Sequence, residues 1–82
     1  GDQFTRSSLS IANNIAEGSG KKSKKEKYQY YGIGLDSARE GIPMITILML
    51  ENQISADEYK ELRSDAIEIC NKLGKLRESV IR

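Results

Sequence analysis

The residues best suited to bind a ligand lie in a short lysine-rich segment. Residues 18–27 contain five lysines and one glutamate, a formal charge of +4, so the rest of the chain carries +1 − 4, or −3. Positive charge beside a glycine-containing turn and a helix start, where backbone N–H groups are free, suits phosphate groups. Arg6 would join these lysines if the first helix folds alongside them, and Tyr30 is the aromatic residue best placed to contact a base. The candidate nucleic-acid-binding residues are Arg6, Lys21, Lys22, Lys24, Lys25, Lys27 and Tyr30.

Other interpretations of this segment are open. The lysines could form a solvated turn that only keeps the protein soluble. Tyr28 and Tyr31 fall on a predicted helix seam, which favours packing over base stacking. A nucleotide-binding P-loop is excluded, because Ser or Thr must follow its lysine and a glycine must lie five residues before its second glycine. Those positions hold Lys22 and Ile15.

No combination of residues typical of catalysis or metal binding is present. The chain has no histidine, so Cys70 lacks the usual base for thiol chemistry. A single cysteine also forms no intramolecular disulfide, which favours a reducing, cytoplasmic setting. No apolar run approaches the ~18 residues of a membrane-spanning helix. We therefore expect no catalytic residues, no metal, no cofactor and no membrane association, and we do not expect an enzyme.

Three amphipathic segments must position the lysines. The first helix is predicted at about 3–17, with Gly18 and Gly20 as stop signals. Two capping boxes, Ser23 with Glu26 and Ser55 with Glu58, predict further helices at about 24–51 and 56–81. The first helix has the apolar stripe Phe4, Ser8, Ile11, Ala12 and Ile15. The longer helices have seams of alternating three- and four-residue spacing, formed by Tyr28, Tyr31, Leu35, Ala38, Ile42, Ile45 and Met49, and by Tyr59, Leu62, Ala66, Ile69, Leu73, Leu76 and Val80.

These patterns predict an all-α, up-and-down antiparallel helical bundle in a single domain, residues 1–82. Gly32, Gly34, Gly41 and Pro43 are unfavourable inside the second helix, and either close packing with a kink, or a hinge or binding notch, would explain them. A chain of 82 residues buries only roughly 60–65% of its unfolded surface. We therefore expect a homo-oligomer.

Residues 10–18 and 20–26 carry a family resemblance. They read Ser-Ile-Ala-Asn-Asn-Ile-Ala-Glu-Gly and Gly-Lys-Lys-Ser-Lys-Lys-Glu. This is similar to the Ser-Ile-x-x-Asn-Ile-Ala-Glu-Gly motif, glycine-containing turn and basic Ser-x-x-Glu stretch of the four-helix-bundle proteins encoded in intervening sequences of bacterial 23S rRNA genes. Residues 34–40 resemble the family's later Gly-Ser-x-x-Glu stretch, except for Asp36. The motif residues are Asn14, Glu17, Gly18, Ser23 and Glu26, which the resemblance assigns either to the scaffold or to direct ligand contact.

The resemblance implies a non-enzymatic protein for which RNA binding is inferred from genomic context. Family members usually have one more helix before the position of Gly1, so this chain is expected to lack the family's first helix. The related accessory variability protein of diversity-generating retroelements is a pentamer that binds reverse transcriptase and nucleic acid. Two functions are therefore open, namely an oligomer, possibly pentameric, that binds RNA or other nucleic acid, and an accessory module that docks a partner such as a reverse transcriptase.

Overall fold

The computed structural model describes residues 2–81, with the backbone alone described for residues 2–5 and 7. Helix α1 spans Asp2–Gly20, α2 spans Lys24–Leu50 and α3 spans Ala56–Ile81. The three run up, down and up, and the described residues contain no strand. The prediction of an all-α helical bundle is confirmed. No helix in the described part of the chain is long and apolar enough to cross a membrane.

Helix α1 continues past its predicted end. It was expected to stop at residue 17, but it runs to Gly20, and no glycine in the described residues has the positive φ of a left-handed helix cap. Gly18 instead lies buried against Tyr31, so its small size serves packing. In the predicted stripe, Ile11 and Ile15 are half-buried against the core. Ser8 and Ala12 are exposed, contrary to prediction, and the side chain of Phe4 lies outside those described.

Helix α2 is the central element. Its seam is confirmed, because four members are buried and the other three are half-buried. The helix is continuous through Pro43, which is exposed. After Leu50 the chain turns at Asn52, whose φ of 60° lies in the left-handed region. The buried seam residues are Tyr31, Leu35, Ala38 and Ile45.

Helix α3 begins with a complete capping box. The Glu58 N–H donates to Ser55 Oγ and the Ser55 N–H donates to Glu58 Oε1, both at 3.0 Å. Its seam is only partly covered, since Ile69 is 42% exposed and Leu76 is 38% exposed. This partial exposure agrees with the small size of the chain, which leaves part of its apolar seams uncovered.

The backbones of the two outer helices stay apart. No Cα atoms of α1 and α3 come within 8 Å of each other among the described residues, although both pack along α2. The core consists of Leu35, Ala38 and Leu73, with Ile11, Ile15 and Cys70 packed around it. An apolar groove of about 100 Å³ therefore stays open between α1 and α3. It is lined by Ser8, Ile11, Ala38, Gly41, Ile45, Leu62, Asp65, Ala66 and Ile69.

Candidate nucleic-acid interface

The lysine-rich corner, residues 18–27, forms one end of the bundle. It comprises the end of α1, the short turn and the first turn of α2. Ser23 is the N-cap of α2 and accepts a 3.4 Å hydrogen bond from the Glu26 N–H. The positive end of the α2 dipole therefore adds to the charge of the lysines. Such a corner favours an anionic ligand.

Four of the five lysines are available for a ligand. Lys22, Lys24 and Lys25 are exposed, and Lys27 is half-buried. None of the four makes an ion pair within the described residues. Because their ammonium groups remain hydrated and unneutralised, they can exchange counterions for phosphates.

The fifth lysine serves the scaffold. The ammonium of Lys21 lies 3.9 Å from Glu17 Oε2 and 5.4 Å from the centre of the Tyr30 ring. Tyr30 is half-buried, and a Cβ built on Gly18 would lie 3.1 Å from the Cβ of Tyr30. Lys21 thus lies over one face of the Tyr30 ring, and contact of Tyr30 with a base stays a prediction.

A cleft opens between the first turn of α2 and the last turns of α3. It measures about 310 Å³ and is open to solvent. Lys24 and Lys27 form one wall, and Ser79 forms part of the other. The Tyr31 hydroxyl is already hydrogen-bonded to Ser19 Oγ at 2.9 Å. The remaining lining residues are Tyr31, Leu76 and Val80.

Arg6 does not join the corner. It lies 14 residues before Gly20 on the same helix, which places it about 21 Å away along the axis at 1.5 Å per residue. The first helix does fold alongside the second, but its antiparallel direction carries Arg6 toward the opposite end. A contribution of Arg6 to binding would require a separate contact.

Helix α3 supplies a cation that the sequence prediction missed. The Arg77 guanidinium stacks on Tyr28, with Cζ 4.0 Å from the ring centre. It also lies against Gly32, where an added Cβ would meet Nη2 at 2.9 Å. The Nε atom is buried and has no hydrogen-bond partner among the described residues. Antiparallel pairing about residue 53 places residue 77 opposite residue 29, so the hairpin itself was a signal for this contact.

Two of the motif residues, Gly18 and Asn14, lie where α1 packs on α2. Asn14 Nδ2 donates to the Ser10 carbonyl oxygen at 2.7 Å and is 3.2 Å from Ser10 Oγ. Ser10 Oγ in turn lies 3.1 Å from Ser37 Oγ on α2. Asn14 is therefore linked to α2 through Ser10. Glu17 does reach the turn, through Lys21.

The described residues contain no group of three His, Cys, Asp or Glu side chains that could hold a metal ion. Cys70 is a free, half-buried thiol beside the core. The exposed carboxylates of α3 include Glu68, which pairs with Lys72 at 2.9 Å. This hydrogen bond and the positive charge of Lys72 lower the pKa of Glu68.

Comparison with known proteins agrees with the motif. Searches against curated proteins and against solved structures gave no match. A family model described as 23S rRNA-intervening sequence protein matches residues 1–75. That match covers most of the chain, including the Asn14–Gly18 motif, the lysine-rich corner and all of α2. The chain therefore belongs to the 23S rRNA-intervening sequence protein family.

Proposed function

We propose that this protein is a non-enzymatic, oligomeric helical bundle that binds RNA or another nucleic acid through the lysine-rich corner. One observation carries the proposal, namely four lysines without ion pairs at the dipole-positive start of α2. A reducing, cytoplasmic setting belongs to the proposal, because the single cysteine is a free thiol.

The expected mode of binding is contact with phosphates and not readout of bases. Stacking on a base needs an open aromatic face. The tyrosines of the region offer little open surface, since Arg77 stacks on Tyr28, Lys21 lies over one face of Tyr30 and Tyr31 is buried. Little sequence preference is expected, and affinity should depend mainly on charge and on the shape of the nucleic acid.

A salt-titrated binding assay with single-stranded and double-stranded RNA tests this proposal. Neutralising Lys22 and Lys25 together with alanine should weaken binding and flatten the plot of log K against log salt by about 1.4 for a single strand, at about 0.7 per contact. The matched control replaces Lys60 and Arg63, which are exposed on α3 toward the other end, and removes the same charge. Equal losses in both variants, or no binding by the wild type at low salt, would contradict the proposal.

The open groove between α1 and α3 favours a second candidate function, docking of a protein partner such as a reverse transcriptase. Its apolar lining would be expected to bind a helical surface in a manner that depends weakly on salt. Capture of such a purified enzyme at high salt, without nucleic acid and unaffected by the lysine replacements, would favour this candidate. Salt-sensitive RNA binding without enzyme capture would favour the first.

A further inference from the structure

Helix α3 places the charge of Arg77 against the start of α2. The guanidinium stacks on Tyr28, one turn after Lys24, and lies over the buried Gly32. Because long side chains of a helix point back toward its N-terminus, the Tyr28 ring leans toward the exposed lysines of the first turn. Arg77 therefore belongs to the same end of the molecule as the lysine-rich corner, although it comes from another helix.

The guanidinium has no partner of opposite charge. Arg77 makes no ion pair within the described residues, and its buried Nε finds no acceptor there. A buried N–H without an acceptor destabilises a fold, because it has given up its hydrogen bond to water. Methionine could fill a similar space on Tyr28 and Gly32 without a charge or an unpaired donor. The packing of these helices therefore does not require an arginine at this position.

The guanidinium is held flat between its neighbours. Its atoms Nη2, Cζ and Nε would lie 2.9, 3.0 and 3.1 Å from a Cβ on Gly32, and these nearly equal distances show that its plane faces the glycine. The Cζ atom is 4.0 Å from the centre of the Tyr28 ring, so the stack offsets part of the cost of burial. Such contacts use the faces of the group and leave its N–H edge for hydrogen bonds. A planar edge fixed in this way matches two oxygens of a phosphate.

We propose that Arg77 binds a backbone phosphate of the nucleic acid, so that the binding surface runs from the first turn of α2 across to α3. The inference rests on the proposed function and adds a residue that is distant from the lysines along the chain. Lysines such as Lys25 are flexible point charges, whereas the guanidinium is a fixed fork. The lysines supply most of the charge, and Arg77 fixes the position of one phosphate.

Removal of the charge is the first test, in the salt-titrated assay with single-stranded RNA. R77M keeps an unbranched chain on Tyr28 and Gly32, and it should lower affinity about tenfold at low salt and flatten the salt slope by about 0.7. R77K should restore the slope but not the full affinity, because it lacks the planar fork. The matched control K75M removes the same charge from an exposed residue about 200° around the same helix. It should change affinity about twofold or less.

A second variant moves the guanidinium without changing the charge. In G32A the added Cβ would meet Arg77 Nη2 at 2.9 Å, and the end of the flexible arginine side chain can turn away. The protein should stay folded, since alanine favours a helix more than glycine does. RNA affinity should nevertheless fall about fivefold. G41A adds the same methyl group where no atom lies within 4 Å, apart from its own helix backbone and chain neighbours, and it should bind as the wild type does.

NMR measures the contact directly. The Nε–H signal of Arg77, assigned by its absence in R77K, should shift on addition of RNA or of inorganic phosphate, but not of chloride at the same ionic strength. Binding by R77M that equals that of K75M, or an Nε–H signal that neither RNA nor phosphate shifts, overturns the inference.

The proposed function is tested separately by the Lys22 and Lys25 replacements. If they weaken RNA binding and R77M does not, only the inference about Arg77 fails. If the wild type binds no RNA, the proposed function fails, and the phosphate titration alone then decides on Arg77. A shift of the Nε–H signal would support an anion site there, and no shift would overturn it.

Discussion

The two ends of the α2–α3 hairpin are built differently. At the lysine-rich end, the contacts join different helices, with Gly18 against Tyr31 and Arg77 between Tyr28 and Gly32. At the loop end, Ile47 and Leu50 are 53% and 72% exposed. A hydrogen bond of 3.2 Å, donated by Thr46 Oγ1 to the Tyr59 hydroxyl, joins α2 to α3 at this end.

This difference indicates how each end keeps its shape. The lysine-rich end holds its charges in place through tight packing under them, so the turn can remain short and exposed. The loop end depends on helix caps, which act within one turn of the chain. Replacements that change side-chain volume should therefore be costly at the first end, and replacements that remove caps should be costly at the second.

The largest effect is expected for Gly18→Val. A Cβ at residue 18 would lie 2.8 Å from Tyr31 Cε1 and 3.1 Å from Tyr30 Cβ. Tyr31 is only 5% exposed and its hydroxyl is held by Ser19, so it has little room to move. We expect a loss of about 2–3 kcal/mol of unfolding free energy, near the upper part of the range for overpacking. Urea denaturation at a fixed protein concentration measures it.

The matched control is Gly41→Ala, in the half of α2 nearer the loop. A Cβ there meets no atom within 4 Å, apart from its own helix backbone and chain neighbours. Alanine should therefore stabilise the protein by up to about 1 kcal/mol through helix propensity alone. If both replacements destabilise equally, packing does not distinguish the two ends.

Removing a helix cap should destabilise the protein more at the loop end than at the lysine-rich end. Ser55→Ala is expected to cost about 1 kcal/mol, because it removes the 3.0 Å hydrogen bond from the Glu58 N–H to Ser55 Oγ, whereas the bond from the Ser55 backbone N–H to Glu58 Oε1 remains. Ser23→Ala should cost about half as much, since its bond to the Glu26 N–H is 3.4 Å long. Thermal unfolding of both variants beside the wild type compares them. If Ser23→Ala lowers stability more than Ser55→Ala, the loop end does not depend on its caps more than the lysine-rich end does.

The sequence was sufficient for the features that depend on neighbours along the chain. The capping serines and the seam of α2 follow from spacing of three and four residues, which is a local rule. Gly18 was read as a helix end because glycine is common there, and only the position of Tyr31 on the next helix reveals its packing role. Exposure of Ile69 likewise depends on the gap between α1 and α3, which spacing within α3 does not report.

The same limit applies to the candidate site. Composition identified the lysines, because charge is visible in the sequence. It did not separate Lys21, which pairs with Glu17, from the four lysines that make no ion pair. It also missed Arg77, since the stack on Tyr28 joins residues 49 positions apart.

The smallest effect is expected for the exposed pair of Glu68 and Lys72, midway between the two ends. The hydrogen bond from Lys72 and its charge hold the pKa of Glu68 below the ordinary value of 4.5, and burial opposes this only weakly. A carboxyl group with a depressed pKa in the folded state stabilises the fold above its unfolded pKa, and this contribution disappears as the pH falls through the folded-state pKa. Lys72→Met should raise the pKa of Glu68, as followed by NMR titration of its side-chain carboxyl, whereas Lys60→Met should not.

Any stability difference between wild type and Lys72→Met should be small and salt-sensitive at neutral pH and should vanish in acid, because an exposed pair is screened by solvent. A difference that persists below the folded-state pKa would show that Lys72 acts through its aliphatic stem.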